Sequence, residues 1–485
     1  MFALTGMRKS PYIFAGFIIC LVGTFIRLWG LGYQSFWLDE AFACVNALKP
    51  LSNIMSVDLA NPPLHIATLH FWLALARNDA WARLLSAIFG IISLWVTWKL
   101  ASEVADERVG VLTALICAFS GFHIYYSQET RMYGMLVGLI SILALATWRI
   151  AQSWDARWGG AFIASGTLTA YTHFTSVGIL LPCSLWLAWR IIKRRLPHRW
   201  LIVAVLPWIL SIPAWFQAIF LAPHHGMAKA GLQLSKSIAC ILIAWFDFNA
   251  NYWLGLGGEL GATIPIVLVV MMLQACVALY YLSVGMRRLN PMARYWIASM
   301  FILPNIIYAM LATVTKWGRT KYAICALPFF IILIAVGLSA HRRRFSPYVS
   351  VFLALTIGLN LLSLWNYFFN PAFHHPDWRA AVPIIEERFK NGDIILAPRW
   401  HEYLIKWYAR KTLPVQTLQD LMSPQSRLSQ RTGFERARIW IIEPKGRVGS
   451  DESHSAQEYL KGVGYKVKWR WDGVNISVHL LTPEG

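Results

Sequence analysis

Residues 36–43 read Phe-Trp-Leu-Asp-Glu-Ala-Phe-Ala and come just after the first long apolar run of the chain. They place two adjacent carboxylates, Asp39 and Glu40, among aromatic side chains. A carboxylate at a membrane edge is costly to desolvate, so one that stays there marks a candidate functional site, and two neighbours should titrate as a coupled pair. The alternative is a helix lying on the bilayer surface, capped by the two acids and anchored by Trp37 and Phe42.

Composition indicates a polytopic membrane protein. Of 485 residues, 57% are hydrophobic and only 14% are charged, which no soluble domain of this size matches. The net charge of +20 comes from Lys and Arg clusters between apolar runs, as the positive-inside rule describes, so we expect no nucleic-acid binding. The seven Cys show no CxxC spacing, which indicates neither a metal site nor a disulfide framework.

The apolar runs predict about eleven transmembrane helices, each long enough to cross the hydrocarbon layer. They lie at about 11–31, 81–103, 109–126, 131–150, 159–173, 175–192, 200–221, 262–285, 294–314, 322–340 and 347–368. No small-residue cleavage site follows the first run, so we expect a retained span and not a signal peptide. Arg8 and Lys9 predict a cytoplasmic N-terminus, and the odd number of spans places the C-terminus outside.

Two further apolar stretches, 63–77 and 238–254, are assigned to interfacial or re-entrant helices. If either one crosses the membrane, the topology after it is inverted. From about residue 371 charged residues become frequent and apolar runs shrink to strand length. We therefore expect a transmembrane domain at 1–370 and a small extracytoplasmic α/β domain at 371–485. The latter has no glycine-rich phosphate loop, so nucleotide binding is not predicted there.

The predicted C-terminal elements alternate in type. Helical patterns cover about 377–390, 400–410 and 455–463, and strand patterns cover 393–397, 439–442 and a hairpin at 465–481.

A second outer-face carboxylate, Glu129, lies in the turn between two predicted spans. The turn should face the same side as Asp39, so two separate loops each bring a carboxylate to one level of the membrane. The alternative for Glu129 is a local ion pair with Arg131 or a favourable charge at a helix N-terminus.

Four motifs in this order resemble the glycosyltransferase family 39 group, which has the GT-C membrane fold and includes protein O-mannosyltransferases and the aminoarabinose transferase of lipid A. The motifs are FWLDEA at 36–41, NPPLH at 61–65, YSQETRMY at 126–133 and YTHF at 171–174. The resemblance covers about 1–200, and beyond it RTKY at 319–322 and ALP at 326–328 also match. Aminoarabinose transferases carry Glu-Lys before their Pro-Pro, where this chain has Ala60 and Asn61. Mannosyltransferases usually carry additional soluble domains within an outer loop, and we do not find such domains in this sequence. The sugar and the acceptor therefore stay open.

The resemblance implies transfer of a sugar from a polyprenyl-phosphate donor to an acceptor hydroxyl at the outer face of the plasma membrane. Asp39 would act on that hydroxyl with Glu40 beside it, and Glu129 would be the acid of the second outer loop. Such a reaction needs a base for the nucleophile and cations for the leaving phosphate. The candidates for the phosphate site are Arg131, Arg319, Lys321 and Tyr322, and those for a second tier in the substrate cavity are His65 and His173.

Alternatives remain at this stage. The cations are also typical of snorkelling anchors at the headgroup level, and a lone His is more often structural. A transporter or flippase for lipid-linked sugars would be equally polytopic, but it favours an internal repeat, which we do not find. A scaffold would leave the outer carboxylates unexplained. Asp39 and Glu129 would suit a divalent metal, but no third carboxylate is evident, so we expect no metal and no cofactor.

Overall fold

The structure is a computed structural model, and it describes residues 10–58, 61–194, 196–197, 199–221, 264–314, 320–340, 347–418, 437–445 and 450–483. The described chain is mostly helical up to Phe369 and continues into a small sheet with helices. Of the predicted features, the interfacial stretch 238–254 and the side chain of Arg319 lie outside the described residues.

The membrane part that the structure describes consists mainly of α-helices. They are α1 Pro11–Leu28, α2 Leu38–Ala47, α3 Leu51–Val57, α4 Leu64–Leu73, α5 Asp79–Val104, α6 Glu107–Ala118, α7 Gly121–Ser127, α8 Met132–Ser153, α9 Ala156–Ala170, α10 Val177–Lys193, α11 Arg199–Leu210, α12 Ile212–Phe216, α13 Ile264–Arg288, α14 Pro291–Val314, α15 Leu327–Ser339 and α16 Pro347–Phe369. Short 3₁₀ helices at Phe174–Ser176 and Thr320–Ala326 precede α10 and α15.

Length and composition give six described helices that can cross a membrane, and up to eight if each of two bent helix pairs forms one span. The predicted polytopic α-helical class is therefore confirmed. The exact number of eleven spans stays a prediction, with α9, α13 and α14 lying at three of the predicted positions. Helix α4 has ten residues and rises about 15 Å, half of the hydrocarbon thickness, which agrees with its assignment to the interface.

A sharp bend of 63° separates α6 from α7. The last carbonyls of an α-helix have no partner within the helix, so a break in a membrane requires donors from elsewhere. Arg27 of α1, which is fully buried, supplies them by donating to the carbonyl oxygens of Cys117 at 2.9 Å and Ala118 at 3.4 Å. Its guanidinium also contacts His123 Nδ1 at 2.9 Å. This contact fixes the direction of α7, which leads to the loop containing Glu129.

The C-terminal part contains a five-stranded mixed sheet with the strand order β2-β1-β3-β5-β4. Strand β1 runs parallel to β2 and β3, and β5 runs antiparallel to β3 and β4. The strands are β1 Ile394–Ala397, β2 Val415–Thr417, β3 Ile439–Pro444, β4 Tyr465–Gly473 and β5 Ile476–Pro483, and the helices are α17 Trp378–Arg388, α18 Glu402–Tyr408 and α19 Ser450–Gly462. The predicted small α/β domain is confirmed, and β2 is an additional strand.

Helix α18 brings this part onto the membrane part, where the Trp407 ring stacks on Phe36 at 5.3 Å between centroids. Burial of two aromatic rings in a stacked arrangement stabilises the contact beyond the area that it removes from water. The C-terminal part therefore lies against the residues that precede Asp39.

Candidate active site

Asp39 lies in the first turn of α2, and its side chain is about one-third exposed, at 32%. Its carboxylate accepts from Lys321 Nζ at 3.1 Å, although the two residues are 282 positions apart. The Lys321 side chain is only 8% exposed, and it reaches Asp39 from the 3₁₀ helix Thr320–Ala326. The fold thus joins the predicted base to a predicted phosphate-binding cation.

Two aromatic rings enclose the same ammonium group. Lys321 Nζ lies 5.3 Å from the ring centre of Trp37 and 5.2 Å from that of Tyr133. The negative face of an aromatic ring attracts a cation, and most strongly where water is excluded. These rings therefore stabilise the ammonium group beside Asp39.

Glu129 is 3% exposed in the loop between α7 and α8. Within the described ranges, neither of its carboxylate oxygens has a hydrogen-bond partner. Burial raises the pKa of Glu129 to about 8, with Lys321 and Arg131 opposing the rise and the charges of Glu40 and Asp39 adding to it. These couplings place Glu129 in the same electrostatic environment as Asp39, and the raised pKa favours the protonated form of its carboxyl group.

Arg131 is 8% exposed and precedes α8. Its guanidinium donates to the backbone carbonyl of Asp39 at 3.4 Å, so it links the two loops that the sequence places at one membrane face. In the part of the chain that the structure describes, its Nε has no partner. Arg131 therefore keeps a donor for a further anionic group.

Glu40 differs from its neighbour because it is 1% exposed and its carboxylate is fully engaged. Arg83 donates to it through Nη2 at 2.6 Å and Nε at 2.8 Å, and Thr130 donates its backbone N–H at 2.9 Å. Such a carboxylate links α2, α5 and the Glu129 loop and has little capacity left for a substrate. This geometry favours the positioning role for Glu40 over a catalytic one.

Arg83 was missed by the sequence reasoning because it lies within a predicted apolar span, at 81–103. A signal was present, since a charged side chain inside a span is costly unless it has a partner. The structure gives that partner as Glu40.

The second-tier candidates line the region around these groups. His65, on α4, is 3% exposed, and burial together with the charge of Arg131 lowers its pKa to about 3, which keeps the imidazole neutral. His173 caps the helix Phe174–Ser176 by accepting from the Thr175 backbone N–H at 3.2 Å. Its ring centre lies 5.4 Å from that of Tyr322, which in turn lies 6.3 Å from Tyr133.

Six of the buried polar atoms that have no partner in the described residues lie here. They are Trp37 Nε1, His65 Nε2, both carboxylate oxygens of Glu129, Thr130 Oγ1 and Arg131 Nε. Folded proteins satisfy nearly all buried polar atoms, so a group of such atoms marks a place for ordered water or a polar ligand. In the described ranges no three His, Cys, Asp or Glu side chains converge to hold a metal ion.

Comparison with known proteins gives a match to a family model over part of the chain, and a shared fold. Residues 60–216 match the family model of dolichyl-phosphate-mannose-protein mannosyltransferase, and these residues include Glu129 and Arg131. Sequence comparison with curated proteins gives no significant match. Among solved structures, ArnT from Cupriavidus metallidurans bound to undecaprenyl phosphate has a TM-score of 0.57 at 13% identity, and the match covers 97% of this chain and 98% of that one.

The same enzyme in the apo state matches equally well, with a TM-score of 0.57. The oligosaccharyltransferase of Archaeoglobus fulgidus in the apo form has a TM-score of 0.50 at 12% identity, covering 90% of this chain and 70% of that chain. At identities this low, the structural matches show a shared fold alone. The ArnT match extends over nearly the whole length of both chains. The resemblance predicted from the motifs is thus confirmed, and this chain has the GT-C fold of membrane glycosyltransferases.

Proposed function

We propose that the protein transfers a sugar from a polyprenyl-phosphate donor to an acceptor hydroxyl at the outer face of the membrane. The observation that carries this proposal is the contact between Asp39 and Lys321, next to buried polar atoms that have no partner in the described residues. A base, two cations and buried polar groups that can bind a sugar are what a glycosyl transfer from a lipid phosphate requires. The ligand named for the ArnT structure, undecaprenyl phosphate, and the dolichyl phosphate of the family model support this donor class.

Asp39 is the proposed base. The acceptor oxygen attacks the anomeric carbon while Asp39 takes the hydroxyl proton, and the bond between that carbon and the phosphate oxygen breaks. The electron pair of the broken bond leaves with the polyprenyl phosphate. Positive charge develops on the sugar ring during this step, as in other glycosyl transfers.

Lys321 and Arg131 are proposed to hold the donor phosphate. Both cations bind Asp39, one through its carboxylate and the other through its carbonyl oxygen. A phosphate is an acceptor for both, and charge-assisted bonds to it stabilise the negative charge of the leaving group. Tyr322 lies beside them, and Arg319 stays a sequence-based candidate for the same task.

Glu129 is proposed to bind the donor sugar or the acceptor in its protonated form. A carboxylic acid offers one donor and retains acceptor capacity, so it can pair with a sugar hydroxyl that a charged carboxylate would meet only as an acceptor. His65 and His173 would line the same region as neutral imidazoles.

We also propose a cytoplasmic N-terminus, an extracytoplasmic C-terminal domain and plasma-membrane location, on the basis of the basic loops. A reporter that is active only outside the cytoplasm, fused after Gly485, should give signal. If only a cytoplasmic reporter works there, one of the interfacial stretches is a true span.

Metal independence is likewise proposed. Activity should survive a chelator, because Lys321 and Arg131 provide positive charge at the proposed phosphate site. Loss of turnover with chelator that added manganese restores would contradict this.

The direct test uses purified protein in nanodiscs with polyprenyl-phosphate mannose and an envelope extract as the acceptor source. We expect release of polyprenyl phosphate, and Lys321→Met should raise the donor KM because it removes a phosphate contact. An intact donor that appears in the opposite leaflet would instead indicate a transporter.

A further inference from the structure

The loop 31–37, which ends two residues before Asp39, is held from two sides. On the side of the membrane helices, Arg83 donates through Nη1 to the carbonyl oxygens of Leu31 and Gln34, each at 2.8 Å. The same side chain pairs with Glu40, so a single residue of α5 fixes both the loop and the first turn of α2.

On the opposite side, the C-terminal part supplies Tyr408. Its hydroxyl accepts from the Phe36 backbone N–H at 2.7 Å and from Ser35 Oγ at 3.1 Å, and it donates to an Asp79 carboxylate oxygen at 2.7 Å. A phenol has one donor and two acceptor positions, so all of its capacity is used here. Burial, followed by the Asp79 charge, raises the Tyr408 pKa well above its usual range, so the hydroxyl stays protonated.

Asp79 joins the two parts of the molecule. It is 5% exposed at the start of α5, and its other carboxylate oxygen accepts from Trp407 Nε1 at 2.9 Å. Arg379 lies 3.7 Å from the carboxylate and donates to the loop carbonyls of Gly32 at 2.9 Å and Tyr33 at 2.8 Å. The carboxylate of Asp79 therefore orients the donors and acceptors that hold the loop.

The position of Asp39 depends on this arrangement because α2 begins at Leu38, two residues after the amide that Tyr408 binds. A short rigid connection transmits a shift of the loop to the first turn of the helix. A displacement of about 1 Å at a reacting group can lower turnover about 100-fold.

We propose that Tyr408 and Asp79 are positioning residues for Asp39, so that the C-terminal domain completes the active site. The proposal rests on the proposed function for its catalytic consequence, but the contact itself can be measured without any substrate. Neither residue is placed to touch the sugar or the phosphate, and both act through the backbone of the loop.

The first experiment measures amide hydrogen exchange in Tyr408→Phe, which keeps the ring and removes the hydroxyl. We expect peptides covering 31–41 to exchange about tenfold faster, because the Phe36 amide loses its acceptor. Tyr459→Phe is the matched control, since Tyr459 is exposed on α19 of the same domain. Unchanged exchange at 31–41 in Tyr408→Phe would overturn the proposal.

The second experiment separates positioning of the base from general damage. Azide has no proton to lose, so it can attack the anomeric carbon and expel polyprenyl phosphate without Asp39. With the envelope extract as acceptor, Tyr408→Phe should lose about 10- to 100-fold in turnover at an unchanged donor KM. Its turnover with azide should match that of the wild type, as should that of Asp39→Asn.

Asp79→Asn provides a second variant, which should reproduce the exchange and turnover changes of Tyr408→Phe, and the double variant should add little. Equal losses with both nucleophiles, or a wild-type rate in Tyr408→Phe, would show that the contact is merely structural. If the wild type releases no polyprenyl phosphate, the proposed function fails, and the exchange experiment still decides whether Tyr408 holds the loop.

Discussion

An ion pair between a glutamate and an arginine lies near each end of α5, and the two pairs have different environments. At the first end, Arg83 and Glu40 are both buried and paired at 2.6 Å, beside the candidate site. Near the other end, Glu103, whose side chain is 16% exposed, pairs with two partly exposed cations, Arg149 at 36% and Lys99 at 53%. A buried pair costs several kcal/mol when one partner is removed, whereas an exposed pair contributes about 0–1 kcal/mol. The residue types are the same at both ends of α5. The pair beside the candidate site therefore differs from the far pair in its burial and in its hydrogen-bond partners.

The largest effect should come from the site end. Asp39→Asn removes the proposed base but keeps the shape of the side chain, so turnover should fall by about 10²- to 10⁴-fold with donor affinity retained. Transfer from polyprenyl-phosphate mannose by the purified variant measures this, and Glu103→Gln at the far end is the control, expected within twofold of the wild type.

Near-normal turnover by Asp39→Asn would contradict the assignment of Asp39 as the base. The stretch 36–43 would then be an interfacial anchor, and Glu129 would replace Asp39 as the candidate base.

Glu40→Gln should affect stability more than Asp39→Asn does. The amide leaves Arg83 buried without its counter-charge, which costs about 3–5 kcal/mol. Thermal unfolding of the two variants in detergent measures the difference. Equal midpoints would mean that Glu40 does not connect α2 to α5 in the way that its hydrogen bonds indicate.

The pH dependence of stability sharpens the role of Glu129. Its folded pKa, about 8, lies above its ordinary value of 4.5, so the folded state binds an extra proton between these values. The stabilisation is complete below about pH 4.5 and is lost as pH rises towards 8, at up to roughly 1.4 kcal/mol per pH unit. Unfolding midpoints between pH 5 and 8 should therefore fall more steeply for the wild type than for Glu129→Gln. Parallel curves would show that Glu129 is already ionised.

The smallest effect is expected at the far end of α5. Glu103→Gln should change the free energy of unfolding by less than about 1 kcal/mol, and added salt should reduce the difference further. A loss of unfolding free energy as large as that of Glu40→Gln would show that the ion pairs at the two ends of α5 contribute equally to stability.

The sequence was informative where a motif is local. The pair at 39 and 40, the Glu129 loop and the strand patterns of the C-terminal domain all carry short-range signals, and each corresponds to an element or a contact in the structure. From the sequence, Lys321 and Asp39 could be placed only at the same face of the membrane. Their contact could not be predicted, because 282 residues separate the partners. The hydrogen bonds of Tyr408 to the loop 31–37 could not be predicted, because the residues around Tyr408 do not distinguish it from any other tyrosine in a short helix.

The Arg27 contact bears on how the protein is made. Cys117 is synthesised 90 residues after Arg27, a delay of roughly 5 to 18 seconds at ordinary rates of translation. During that interval the guanidinium has no carbonyl at the α6 break to bind, so its partners are the Gly23 carbonyl of its own helix and water near the end of α1. Helix α1 can therefore take up its final position only after α6 has entered the membrane, which ties the maturation of the first span to the arrival of a later one.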